Sequence, residues 1–130
     1  MIVALRFGVA QTFPRSRRLT HDNEYAAVYG ARVKRTLGPL TMFTLPNALP
    51  HPRLGLSIRK FGLATTRNRL KRHLREAFRL AQGELPRHEG GSYDLVVTAR
   101  DHEELPLEEY RRLLVDLGGS LDREWRRRRG

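Results

Sequence analysis

Cysteine is absent from this 130-residue chain, which excludes disulfide bridges, thiolate zinc sites and cysteine nucleophiles. Acidic side chains are scarce. Fourteen Asp and Glu stand against 25 Lys and Arg, a formal charge of 25 − 14 = +11. A balance of that sign and size points to nucleic acid or an anionic surface and away from a small neutral substrate. The histidines, His21, His51, His73, His88 and His102, show no HExxH or comparable metal spacing. A long hydrophobic run is also missing. The stretch MIVALRFGVA is interrupted by Arg6, has no basic region before it and is too short to span a bilayer. With neither cysteine nor a secretory signature, the expected compartment is the cytoplasm. No internal repeat is visible, and the length suits one domain with a modest core.

What is present is concentrated in residues 67–81, RNRLKRHLREAFRLA. Leu70, Leu74, Ala77, Phe78 and Ala81 follow the i, i+4, i+7, i+8, i+11 spacing of a buried helical stripe. At about 100° per residue, Arg72, Arg75 and Arg79 fall together on the opposite side, with Asn68 beside them and Lys71 and Arg69 on the flanks. Like charges at these spacings destabilise an isolated helix by roughly a few tenths of a kcal/mol per pair, and only Glu76 is there to offset them. An ordinary solvated face mixes signs. The helix is therefore expected to anchor a core on one side and present a polyanion-binding ridge on the other.

Punctuation gives the organisation. Residues 1–18 read as a flexible basic arm ending in Arg15-Ser16-Arg17-Arg18, an inert tail or an RNA contact. Thr20 or Asp22 is placed to cap a first helix through about Arg32, with Tyr25, Val28 and Tyr29 on one side. Gly38-Pro39 breaks the chain; LTMFTL (40–45) reads as a strand, and Pro46 to Pro52 as a loop. RLGLSIR (53–59) alternates as a second strand, and residues 60–66 connect to the basic helix, with Thr65 or Thr66 as its expected N-cap. YDLVVTA (93–99) is a nearly continuous apolar run, the pattern of a central strand covered on both faces. A last helix is expected from Leu105-Pro106, presenting Leu107, Tyr110, Leu113, Leu114 and Leu117 and, past an interruption at Gly118-Gly119, Leu121 and Trp125. The acids at 101, 103 and 104 are placed to favour its N-terminus. The domain spans residues 19–125, and 126–130 form an Arg-rich tail. The order helix, strand, strand, helix, strand, helix is a small α+β sandwich of helices packed on a short sheet.

The segment LGLSIRKFGLATTRNRLKRHLREAF (54–78) resembles the signature of the bacterial ribonuclease P protein subunit. In that family a Gly-φ-Ser strand and a Lys-φ-Gly connector lead into Arg-Asn-Arg-φ-Lys-Arg-x-x-Arg-Glu-x-Phe. The similarity extends upstream through LTHDNEYAAVY and downstream through YDLVVTAR, covering roughly residues 18–117. The connector is one residue shorter than the family's usual Ser-φ-Ser-Lys-Lys-φ-Gly, Phe61 replaces a small aliphatic residue, and Tyr25 and Tyr29 stand where phenylalanine is frequent.

The resemblance implies a protein that assists a catalytic RNA in removing the 5′ leader of precursor transfer RNA, the metal-dependent chemistry belonging to the RNA. It implies a left-handed β-α-β crossover, against the general right-handed rule. It implies no catalytic residue or metal in the protein, no cofactor bound by the protein alone, magnesium with the RNA subunit, no membrane and no required protein partner. Carried over by position, Arg67, Asn68, Arg69, Lys71, Arg72 and Arg75 are the RNA-facing residues, joined by Arg59 and Lys60 of the connector. Tyr25, Tyr29, Phe43 and Ser57 map onto the cleft that holds the single-stranded leader. By spacing alone Tyr25 and Tyr29 suit a core equally well.

Physical chemistry supports such a partner independently. Arginine forks donate paired hydrogen bonds to phosphate and follow a backbone without reading sequence. Five or six contacts give a log-log salt slope of about −4 to −5. Aromatic rings stack on unpaired bases for about 1 to 3 kcal/mol each. A structural ribosomal protein or RNA chaperone shares the charge and the arm and stands as the alternative. A major-groove DNA reader lacks the helix that should precede its recognition helix.

Overall fold

The computed structural model describes residues 14–59 and 62–129. Three helices, α1 (Asp22–Ala31), α2 (Ala64–Ala81) and α3 (Leu107–Arg129), pack on a four-stranded sheet of β1 (Lys34–Leu37), β2 (Leu40–Asn47), β3 (Arg53–Leu56) and β4 (Ser92–Ala99). The spatial order is β1-β2-β4-β3, with β1·β2 and β2·β4 antiparallel and β3·β4 parallel. Helix α2 is the connection between the two parallel strands. Strand β4 lies between β2 and β3 and is buried on both faces, as its apolar run predicts.

Alternation along the strands sorts two cores. Leu40 and Met42 of β2, with Tyr93, Leu95 and Val97 of β4, face α2 and α3, where they meet Leu70, Leu74, Phe78, Tyr110, Leu114, Leu117 and Leu121. On the other face Val96 packs with Leu19 and Val28, flanked by Tyr25, Tyr29, Phe43 and Leu45. The short α1 covers part of that face. The apolar stripe expected on α2 is buried as read: Leu70, Leu74, Ala77, Phe78 and Ala81.

Several local expectations are corrected. Strand β1 adds to the expected order, and no sequence pattern marks it, because Lys34-Arg35-Thr36-Leu37 is exposed along its length and carries no apolar alternation. It is an edge strand closed by a tight turn at Gly38, whose φ of 60° is the left-handed conformation glycine adopts without strain. Strand β3 ends at Leu56 rather than Arg59, although the Ser57 amide still donates to Val97 O at 3.0 Å. Helix α2 starts at Ala64 with Leu63 at its N-cap, so neither Thr65 nor Thr66 caps it. Helix α3 begins at Leu107 and runs without interruption through Gly118-Gly119 to Arg129, so residues 126–129 continue a helix instead of forming a tail. Gly118 is there for packing: a Cβ would stand 3.0 Å from Leu85 Cδ2 and 3.4 Å from Pro86 Cδ.

The arm also differs from its reading. Residues 1–13 lie outside the described residues, but Arg15–Arg17 form a 3-10 turn, Arg18 bridges in parallel to Leu54, and the Leu19 amide donates to Leu54 O at 2.9 Å. The arm's last residues are thus docked on the free edge of β3.

Helix α1 is fixed to that edge by charge. Glu24 accepts from the backbone amides of Thr20 (2.8 Å) and His21 (3.0 Å) at the helix start and from Arg53 Nη1 at 3.1 Å. Arg53 in turn donates through Nε and Nη2 to the two carboxylate oxygens of Asp94, at 2.9 and 2.7 Å, and Asn47 Nδ2 donates to the same group at 2.7 Å. The network links β2, β3, β4 and α1 one residue from Tyr25. His21, rather than Thr20 or Asp22, occupies the N-cap position.

Candidate nucleic-acid interface

Two recesses adjoin on one side of the molecule. The first, of about 660 Å³, is lined by Arg18, Asn68, Lys71, Arg72, His73, Arg75, Glu76 and Arg79. It is the polar face of α2, which the buried stripe on the opposite side forces outward. Arg79 is neutralised locally by an ion pair with Glu76, which holds the Glu76 carboxyl below its ordinary pKa and raises that of Arg79. Lys71, Arg72 and Arg75 add further positive charge along the same face of α2.

The second recess, of about 500 Å³, is a groove between α1 and the end of β3, lined by Asp22, Tyr25, Ala26, Tyr29, Leu56, Ser57, Ile58, Arg59 and Lys71. Tyr25 and Tyr29 are half-buried, so each anchors on the sheet and leaves part of its ring accessible. Burial pushes the Tyr25 hydroxyl above its ordinary pKa of 10.0. Lys71 belongs to both recesses and joins groove to ridge.

The residues singled out from the sequence divide among these surfaces. Tyr25, Tyr29, Ser57 and Arg59 line the groove, whereas Phe43 lies behind it, edge-on to Tyr29 with centroids 4.8 Å apart and Lys34 Nζ 5.4 Å from its ring. Phe43 buttresses a groove ring instead of forming the wall. Asn68, Lys71, Arg72 and Arg75 line the ridge recess. Arg67 is half-buried and donates to the carbonyl of Arg59 at 3.3 Å, which ties the connector to the helix. Lys60 lies outside the described residues.

Arg69, expected on a flank of the basic face, is paired with an acid. Its Nε sits 2.9 Å from Glu104 Oε1, and His73 Nδ1 is 3.2 Å from the other oxygen of the same carboxylate. Glu104 is therefore engaged with α2 and not with the start of α3, whose first-turn acids are Glu108 and Glu109. The other residues of the acidic cluster are exposed or half-buried around His102, which bonds the Tyr110 hydroxyl at 2.7 Å. Among the described residues no group of three or more His, Asp or Glu is arranged to hold a metal ion, and no helix is long and apolar enough to cross a membrane.

Arg18 lines the ridge recess although the sequence marked it only as the end of a basic arm. Its only signal was membership of a basic run, and the backbone bridge to β3 that places it beside Arg75 involves no side-chain pattern.

The chain is similar to known proteins in sequence and in fold. The family model described as Ribonuclease P matches residues 13–122. The ribonuclease P protein component of Methylococcus capsulatus (strain Bath) is 41% identical over 95 residues, covering 72% of this chain and 70% of that protein. The RNase P protein from Thermotoga maritima superposes with a TM-score of 0.62 at 28% identity, over 78% of this chain and 94% of that one. The Staphylococcus aureus RNase P protein superposes with a TM-score of 0.61 at 23% identity, over 78% and 91% respectively, a likeness of fold.

Proposed function

This chain belongs to the ribonuclease P protein family, the protein components of a ribonucleoprotein endoribonuclease that processes transfer RNA, and from that premise we propose how its surface serves the reaction. The ridge of α2 binds the catalytic RNA subunit through phosphate contacts from Arg72, Arg75 and Lys71. The groove holds the single-stranded 5′ leader of precursor transfer RNA, with Tyr25 and Tyr29 offering stacking faces and Ser57 and Arg59 offering polar contacts. Endonucleolytic removal of the leader is carried out by the RNA, with its magnesium ions, in the cytoplasm.

The observation that carries this reading is Lys71, which lines the aromatic groove and the cationic recess at once. Substrate strand and catalytic RNA are then gripped by adjoining recesses that share Lys71. Holding the leader there adds binding energy and fixes its direction relative to the scissile bond, the kind of positioning that accelerates a reaction without contributing a reacting group.

The test is the affinity of the assembled protein–RNA complex for precursor transfer RNA with and without its leader. Tighter binding of the leader-bearing form, abolished by Tyr25→Ala together with Tyr29→Ala, is the expected result. Equal affinity for both forms sinks the groove assignment.

A further inference from the structure

The groove between α1 and the end of β3 has two chemically different walls. Ser57 and Arg59 after β3, with Lys71 of α2, supply polar and cationic groups, whereas α1 supplies Asp22, Tyr25, Ala26 and Tyr29. Residues at i, i+3, i+4 and i+7 share one side of a helix, so these four form a column with Asp22 at its N-terminal end. Asp22 is the one acid among the described residues that line the groove.

An acid is out of place in a groove for an anionic strand, and the start of α1 is capped without it. Glu24 takes the amides of Thr20 and His21, and His21 holds the N-cap position. The Asp22 side chain is exposed and enters no ion pair or hydrogen bond among the described residues. Its ordinary use is to complement the helix dipole, which any site around the first turn serves equally well.

Single-stranded RNA is itself two-sided, with phosphates along one edge and bases along the other. Phosphates favour the wall that carries Arg59 and Lys71, which turns the bases toward Tyr25, Tyr29 and Asp22. A carboxylate only accepts hydrogen bonds. On the Watson–Crick edge guanine alone offers two adjacent donors, N1–H and the 2-amino group, while adenine, cytosine and uracil each set an acceptor beside their donor.

We propose that Asp22 makes the groove selective for guanine, its carboxylate accepting from N1–H and the 2-amino group of a leader base held against the tyrosine column. The contact is bidentate and charge-assisted, which offsets the repulsion an acid brings to an RNA site. It rests on the leader-groove reading above and adds to it the base that the groove reads.

The assembled complex of this chain with its cognate catalytic RNA is titrated with precursors that share one transfer RNA and an all-adenine leader, a single guanine being placed at each leader position in turn. At one position guanine is expected to tighten binding by about fivefold or more over adenine, the effect of a good bidentate base contact. Inosine there, which keeps N1–H and lacks the 2-amino group, is expected to retain only part of the gain. This series uses the unaltered chain and so does not depend on the folding of a variant. Asp22→Asn is expected to reduce the guanine advantage below about twofold and to raise affinity for the adenine leader, because a negative charge leaves the groove. A carboxylate that served the helix alone would instead lower the unfolding midpoint and leave the base preference in place. No guanine advantage above about twofold at any position, or one that survives Asp22→Asn, overturns the selectivity, and the groove assignment stands if the leader-bearing precursor still binds more tightly than the leaderless one. Equal binding of those two precursors overturns both.

Discussion

The ring of Tyr25 lies so close to Gly55 that a Cβ on residue 55 would stand 2.8 Å from Cε2 and Cζ and 2.9 Å from the hydroxyl oxygen. Glycine in β3 is thus what lets the aromatic wall of the groove settle on the sheet. Gly55→Ala is expected to push the half-buried ring toward solvent at an overpacking cost of about 1 to 3 kcal/mol. Thermal unfolding should show a lower midpoint, and the assembled complex should lose its preference for leader-bearing precursor. Retention of that preference at full strength would show that the ring's seat on β3 is immaterial.

The two faces of α2 should respond separately. Phe78 is fully buried, so Phe78→Ala is expected to cost about 3 to 5 kcal/mol in chemical denaturation. Arg72 is exposed, so Arg72→Ala is expected to change stability by no more than about 0.5 kcal/mol. In RNA titrations at several salt concentrations it should lower affinity and reduce the magnitude of the log-log salt slope by about one.

Glu104 competes for a cation of the Arg-Asn-Arg segment. Because Arg69 Nε is 2.9 Å from its carboxylate, RNA that engages Arg69 must displace this partner. The pair is solvent-exposed and weak, so Glu104→Gln is expected to tighten binding to the catalytic RNA by roughly two- to fivefold with little change in stability. Weaker binding in this variant would mean that Glu104 orients Arg69 usefully instead of masking it.

The cap of α1 carries a pH signature. Backbone amides of Thr20 and His21, and then Arg53, hold the Glu24 carboxyl below its ordinary 4.5 in the folded chain. A depressed folded pKa contributes stability that is fully present above the unfolded value and disappears as pH falls through the folded one. Denaturation of the parent chain and Glu24→Gln is therefore expected to differ at pH 7 and to converge below pH 4.5 toward the folded value. A constant difference across that window would assign the effect of Glu24 to something other than its charge.

Periodicity made α2 and β4 legible, because each side chain there answers to one strong demand: a core on one face of the helix, or cores on both faces of the strand. The same signal placed Arg72, Arg75 and Arg79 opposite the buried stripe, with Asn68 beside them and Lys71 and Arg69 on the flanks. Strand β1 was illegible since an exposed edge needs only backbone pairing and a turn, and Lys34 and Arg35 suit an edge by discouraging further pairing. The uninterrupted α3 defeats the helix-breaking reputation of Gly118-Gly119, since close approach of Leu85 makes the missing Cβ an asset. Partnerships across the fold, Arg69 with Glu104 and Arg18 beside Arg75, leave no local trace. Phe43 shows the converse limit: its place on β2 is legible, but its edge-on contact with the Tyr29 ring is a contact between separate elements that no local pattern encodes.

The most direct measurement is cleavage of a precursor transfer RNA at near-physiological magnesium by the cognate catalytic RNA alone, by this protein alone, and by both together. Correct 5′ processing that is far faster in the combined reaction, with none from the protein alone, is the expected result. Cleavage by the protein alone, or no acceleration on adding it to the RNA, would contradict the proposed role.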